Sequence, residues 1–218
     1  MKTFGFVPRR ADVSRAAFRE HYETQHVPLA LQHIRVFAKY VRNHVVRAEP
    51  HELRFDCLSE FWFAGPEAIA GIHAWLDSPA SQVLHDDEAS FMDCPGMASC
   101  AVSERLLFGP ARTVESGVTR KIGLAIQRAP SMPRAQFEAR LVAFGEELVR
   151  RNERAIVRAT LDIAQGPPTE NLPLHGLVSV WPVASETTLD IPAIDAATGT
   201  LTVLTLDAFE TPPSALGR

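Results

Sequence analysis

Along the chain, apolar positions recur with two periods. Phe137, Leu141, Phe144 and Leu148 are spaced four, three and four residues apart, the stripe of an amphipathic helix, here predicted to start at a Ser131 cap. Ser14 is a second cap, opening a helix predicted to run to about residue 32. Segments 2–8, 34–47, 56–63 and 99–108 alternate or are rich in β-branched and aromatic residues, so they are predicted strands. Gly65-Pro66 ends the third of these, and Pro66 opens a helical region to about 93. Further on, strands are predicted at 119–128, 154–163, 176–181 and 199–208, with Gly166-Pro167-Pro168 as a loop. A short helix is expected at about 186–196, interrupted by Pro192.

These elements fall into two similar series. Lys2-Thr3-Phe4-Gly5-Phe6-Val7 leads to Arg15-Ala16-Ala17-Phe18, and Arg120-Lys121-Ile122-Gly123-Leu124-Ala125 leads to Arg134-Ala135-Gln136-Phe137. Each series runs β-α-β-β-α-β, the ferredoxin-like split motif. One such unit leaves one face of its sheet bare, and bare apolar sheet must be buried. The predicted fold is therefore α+β: two fused ferredoxin-like repeats, 1–112 and 118–210, packed into one barrel of the dimeric α+β type. Gly109 to Gly117 is the expected linker.

Composition narrows the partners. The 218 residues carry 22 basic and 26 acidic side chains, a net charge of −4, which gives no electrostatic footprint for nucleic acid or an anionic membrane. No apolar run approaches the roughly 18 residues of a membrane span, and the three cysteines at 57, 94 and 100 lack metal-like spacing. A reduced, cytoplasmic protein is expected. Before residue 116 lie seven of the eight histidines and 13 of the 17 aromatic residues, so any chemistry belongs to the first half.

On the first helix, His26 lies four residues after Tyr22, at the margin of the apolar stripe, and Pro28 locally breaks the helix beside it. Such a ring suits proton transfer, because histidine titrates near pH 6.5. Glu60, between Leu58 and Trp62, is costly to bury unless it is paired or protonated, either as a cavity acid or in a salt bridge to an arginine such as Arg42 or Arg105. Tyr40 shares a strand face with Arg42 and His44 and would offer a hydroxyl. His85-Asp86-Asp87-Glu88 is a poor metal set, since four adjacent helical residues cannot all face one ion. Phosphate loop, nucleophile elbow and dinucleotide fingerprint are all missing, so no cofactor is expected.

Together, Phe18-x-x-x-Tyr22-x-x-x-His26-x-Pro28-Leu29, Tyr40, Asp56-x-x-x-Glu60-Phe61-Trp62-Phe63 and Asp87-Glu88-x-x-Phe91-x-Asp93 resemble the EthD family of dimeric α+β barrels. The second series departs from it: Leu141 and Gly145 stand where Tyr22 and His26 do, so a second site is not expected. The resemblance implies a cofactor-free barrel around a small hydrophobic or aromatic molecule; related barrels include cyclases, dehydratases, decarboxylases and monooxygenases of activated phenols. The expected function is a lyase or isomerase of an aromatic or polyketide-like compound. His26, Tyr40, Glu60 and Asp87 would be its catalytic groups, and Tyr22, Phe61, Trp62 and Phe91 its substrate wall. Alternatives are a non-catalytic carrier of a hydrophobic metabolite, a haem-binding barrel with His26 as axial ligand, and a cofactor-free monooxygenase. Whole chains could pair further as homodimers through their helix faces.

Overall fold

Eight strands close into one antiparallel barrel: β1 (Lys2–Val7), β2 (Phe37–Glu49), β3 (Cys57–Phe63), β4 (Ala98–Phe108), β5 (Val118–Arg128), β6 (Ile156–Ala164), β7 (Gly176–Pro182) and β8 (Gly199–Glu210). The computed structural model describes residues 1–111, 114–115, 117–166 and 172–216. Part of the expected linker, and Pro167 and Pro168 of the expected loop, lie outside them. The strand order β1-β3-β2-β8-β5-β7-β6-β4 gives each half of the chain four adjacent strands. Two ladders join the halves, β2 to β8 from Val41↔Glu210 to Glu49↔Val203, and β4 to β6 from Val102↔Ala164 to Phe108↔Ala159. The barrel therefore closes within a single chain. Closure leaves no open sheet edge.

Side-chain alternation sorts the strands' residues into layers. Phe4, Phe6, Leu58, Val102, Leu177 and Leu204 fill the barrel interior. Outside the first half, Phe18, Tyr22, Tyr40, Cys57 and Phe91 pack between sheet and helices α1 (Arg15–His21), α2 (Val27–His33), α3 (Pro66–Leu76) and α4 (Gln82–Phe91). Outside the second, Phe137, Leu141, Phe144 and Leu148 of α5 (Arg134–Asn152) cover Leu124, Leu161 and Val178. The helix predicted from the apolar stripe is this one, with its buried face as expected.

Two local expectations fail for identifiable reasons. Helix α5 starts at Arg134, not after a Ser131 cap, because Pro133 pushes Met132 out of the helical region. The expected helix at 186–196 is absent. Pro192 and the β-branched Thr187 and Thr188 disfavour it, and Leu189, Ile191 and Ile194 reach the second-half core without it. Asn152 replaces helical bonding there: its Nδ2 donates to the Asp190 carbonyl at 2.9 Å, and its Oδ1 accepts from the Asp190 N–H at 2.8 Å.

Candidate active site

The first helix begins as the sequence indicates, with Ser14 Oγ accepting the Ala17 N–H at 3.2 Å. Between α1 and α2 the chain widens into one π-helical turn, Tyr22–His26, where the Val27 N–H bonds to the Tyr22 carbonyl five residues back. Pro28 supplies the reason: it brings no N–H, and its ring would crowd the carbonyl four residues earlier, so the wider turn relieves the clash. Single π turns of this kind are frequent at functional sites. The turn buries Tyr22 and His26 together, their rings edge-to-face at 5.0 Å. His26 is thus interior, 5% exposed, rather than at the stripe's margin.

Helix α4 brings Asp87 against this turn. His26 Nδ1 lies 2.8 Å from Asp87 Oδ2, and His21 Nε2 lies 2.7 Å from Oδ1 of the same carboxylate. Burial pushes the Asp87 carboxyl up, but hydrogen bonds from the two histidines outweigh it and hold the group below its ordinary range. An ionised Asp87 accepts from His26 Nδ1–H and so leaves Nε2 as the ring's free nitrogen. Phe91 closes the cluster, 4.3 Å from the His21 ring and 5.5 Å from His26. Tyr22 Oη meets Ser59 Oγ at 2.9 Å, and Tyr40 Oη donates to Tyr22 Oη at 3.4 Å. Burial raises both phenols well above their ordinary value, so both stay protonated. Tyr40 stacks on Phe61 at 4.7 Å. His21 was missed from sequence; its position five residues before His26, off the α-helical i+4 spacing, hid it until the π turn brought both rings to one carboxylate.

Glu60 and Trp62 do not belong to this cluster. Strand β3 turns Ser59, Phe61 and Phe63 toward the helices, so Glu60 and Trp62 point into the barrel. Glu60 is paired, but with lysines: Lys2 Nζ at 2.8 Å and Lys121 Nζ at 3.2 Å, rather than with Arg42 or Arg105. Lys2 also reaches Glu104 at 2.7 Å and Asp162 at 2.8 Å. Glu60, Glu104 and Asp162 are the one carboxylate set among the described residues close enough to hold a metal, and the Lys2 ammonium fills the space between them. The sequence's His85–Glu88 run does not form such a set.

A second carboxylate–imidazole pair was also unread in the sequence. Glu23, from the π turn, accepts from Arg42 Nη2 at 2.5 Å and lies 2.7 Å from His44 Nε2. A cavity of about 570 Å³ opens beside it, lined by Glu23, Val27, Leu31, Arg35, Arg42 and Thr211. In the second half, Leu141 is wholly buried, and a Cβ on Gly145 would sit 2.7 Å from Leu107, so the positions matching Tyr22 and His26 are packed core.

Residues 10–95 match the EthD domain, a span that holds the π turn, both histidine–carboxylate pairs and Asp87. Over those residues the first half of the chain is similar to the EthD domain. The chain is similar in fold to a putative monooxygenase from Fusobacterium nucleatum, at 9% identity and a TM-score of 0.50 over 95% of this chain and 90% of that one. It is likewise similar to an anthrone oxidase-like protein, at 8% identity and a TM-score of 0.53 over 96% and 92% of the two chains. No curated protein matches the sequence. Among the described residues, no helix is long and apolar enough to cross a membrane.

Proposed function

We propose that the chain is a small-molecule-processing enzyme that works by proton transfer at His26, on an aromatic or polyketide-like compound. The observation that carries this reading is the 2.8 Å contact of His26 Nδ1 with Asp87, which orients the ring and leaves Nε2 to react. In a dehydration, Nε2 takes a proton from carbon, a carbon–carbon double bond forms, and the carbon–oxygen bond breaks. The leaving hydroxyl departs as water with the proton returned by the imidazolium. Asp87 stabilises the imidazolium between those steps. Tyr22, Tyr40, Phe61 and Phe91 provide two hydroxyls and an aromatic wall; Glu60 and Trp62 take no part. We read the two halves, 1–112 and 118–210, as ferredoxin-like repeats, the second kept for closing the barrel.

The names of the two fold neighbours favour a second reading, a cofactor-free monooxygenase. It shares the first step: Nε2 deprotonates a phenol or enol, and the resulting anion reacts with dioxygen instead of expelling a group. Incubation with hydroxylated polycyclic ketones, beginning with anthrone, separates the two. Oxygen uptake marks the monooxygenase, and loss of water or carbon dioxide without oxygen uptake marks the lyase. His26→Gln and Asp87→Asn should each lower turnover by about 10²–10⁴-fold in folded protein. Unchanged turnover in His26→Gln overturns the assignment, and retained binding without turnover in the unaltered protein leaves a carrier.

A further inference from the structure

Two imidazoles divide the Asp87 carboxylate between them, His21 Nε2 at 2.7 Å from Oδ1 and His26 Nδ1 at 2.8 Å from Oδ2. The π turn makes this possible: the histidines are five residues apart, the hydrogen-bond step of that wider helix, so both rings reach one carboxylate. An ionised carboxylate only accepts, so with both rings neutral each carries its hydrogen on the nitrogen turned to Asp87. That fixes opposite tautomers, Nε2–H for His21 and Nδ1–H for His26. Their surroundings also differ. The His21 side chain keeps 22% of its surface in solvent, whereas His26 keeps 7% and is enclosed by the Tyr22 and Phe91 rings. A proton shared by such a pair settles on the better solvated ring, because burial penalises the charged form.

One carboxylate compensates one imidazolium, and a second positive ring on Asp87 finds no equal partner nearby. Glu88, next along α4, faces His26 and His85 as a charge, and burial pushes its carboxyl up. Arg10, from the loop after β1, is engaged with Asp12 and with the Ala89 and Ser90 carbonyls. The Tyr22 phenol stays protonated, and its ring stands between this cluster and the His44–Glu23 pair, 5.0 Å from His26 and 5.6 Å from His44. We infer that His21 is a positioning residue: it shares Asp87 with His26, takes the first proton of the pair, and so keeps the His26 ring neutral in weakly acidic solution. The consequence for turnover rests on the reading of His26 as the proton carrier. The sharing itself needs no substrate.

Nitrogen NMR of the imidazoles in the full chain, titrated from pH 8 to pH 5, tests this without an assay of turnover. At the alkaline end His26 should read as the Nδ1–H tautomer and His21 as Nε2–H. On acidification His21 should charge first, and the His26 curve should be broadened by it rather than follow a one-proton curve. His21→Gln keeps a donor for Oδ1 but removes the charge, and should move the His26 midpoint up by about one pH unit. His85→Gln, which removes a histidine beside Glu88 and leaves Asp87 untouched, should move it far less. Four results would each overturn the inference: independent one-proton curves in the unaltered chain, His26 charging before His21, an unmoved or lowered His26 midpoint in His21→Gln, or an equal effect of His85→Gln. With a substrate in hand, the acid limb of kcat/KM should rise in His21→Gln by the same step as the midpoint, which lost packing alone would not produce; a limb that stays put overturns the positioning role. Unchanged turnover in His26→Gln, by contrast, refutes the catalytic reading and leaves the NMR result standing.

Discussion

Replacing Lys2 by Met should cost about 3–5 kcal/mol of folding stability at pH 8, because it strips the partner from buried carboxylates while keeping the side chain's length. The ammonium sits 2.8, 2.7 and 2.8 Å from Glu60, Glu104 and Asp162. Burial works against its charge, but the three carboxylates win and hold Lys2 above its ordinary value, so it stays charged from pH 5 to 8. Glu60 is buried too, yet Lys121 and Lys2 hold its carboxyl well below the usual range. Asp162 goes the other way: burial, joined by the charges of Glu60 and Glu104, pushes it up to about 7. A proton on Asp162 leaves two lysines facing two carboxylates. A carboxyl raised in the folded state binds protons that the unfolded chain does not, so stability falls as pH rises from its ordinary value to its folded one. For Asp162, raised by burial and by its carboxylate neighbours, that loss lies between its ordinary value and about 7, and its contribution is flat above it. Without Lys2 the window extends upward and Glu60 joins it. The deficit of Lys2→Met should therefore be small at pH 5 and largest at pH 8. Urea unfolding at pH 5, 6.5 and 8, followed through tryptophan fluorescence, measures it. A deficit equal at both ends of the range, or below about 1 kcal/mol at pH 8, refutes the reasoning.

In the second half, Leu141→Ala should destabilise by about 2–5 kcal/mol, since the side chain is wholly buried under α5. Gly176→Ala should cost about 1–3 kcal/mol on its own, because the new Cβ would lie 2.3 Å from Leu141 Cδ1. The double variant should lose less than the two costs added, by at least about 0.5 kcal/mol in denaturant unfolding; strict additivity would deny the contact. A fragment of residues 1–112 frees the edges of β2 and β4 that β8 and β6 cover, and should aggregate or dimerise on sizing columns. A folded, monomeric fragment at high concentration would show that the halves are independent domains.

Periodicity carried the strand positions, the buried stripe of α5 and the Ser14 cap, because each depends on residues adjacent along one element. It also set a contrast between the halves: Leu141 and Gly145 stand 119 residues after Tyr22 and His26, and no packing can turn those into proton carriers. Alternation even placed Glu60 apart from Phe61. What it could not supply was which face of β3 met the helices and which met the barrel, since both faces are buried and apolar residues occur on each. That choice was made by closure, which brought Lys2, from the chain's start, and Lys121, from its second half, to Glu60. The π turn was likewise tertiary in effect: Pro28 announced a break, but only packing against α4 set His21 and His26 on one carboxylate 61 residues beyond His26. Glu23 met His44 in the same way, across 21 residues and two elements. A chain fixes locally which residues share an element's face, while partners distant in sequence are chosen when those faces pack.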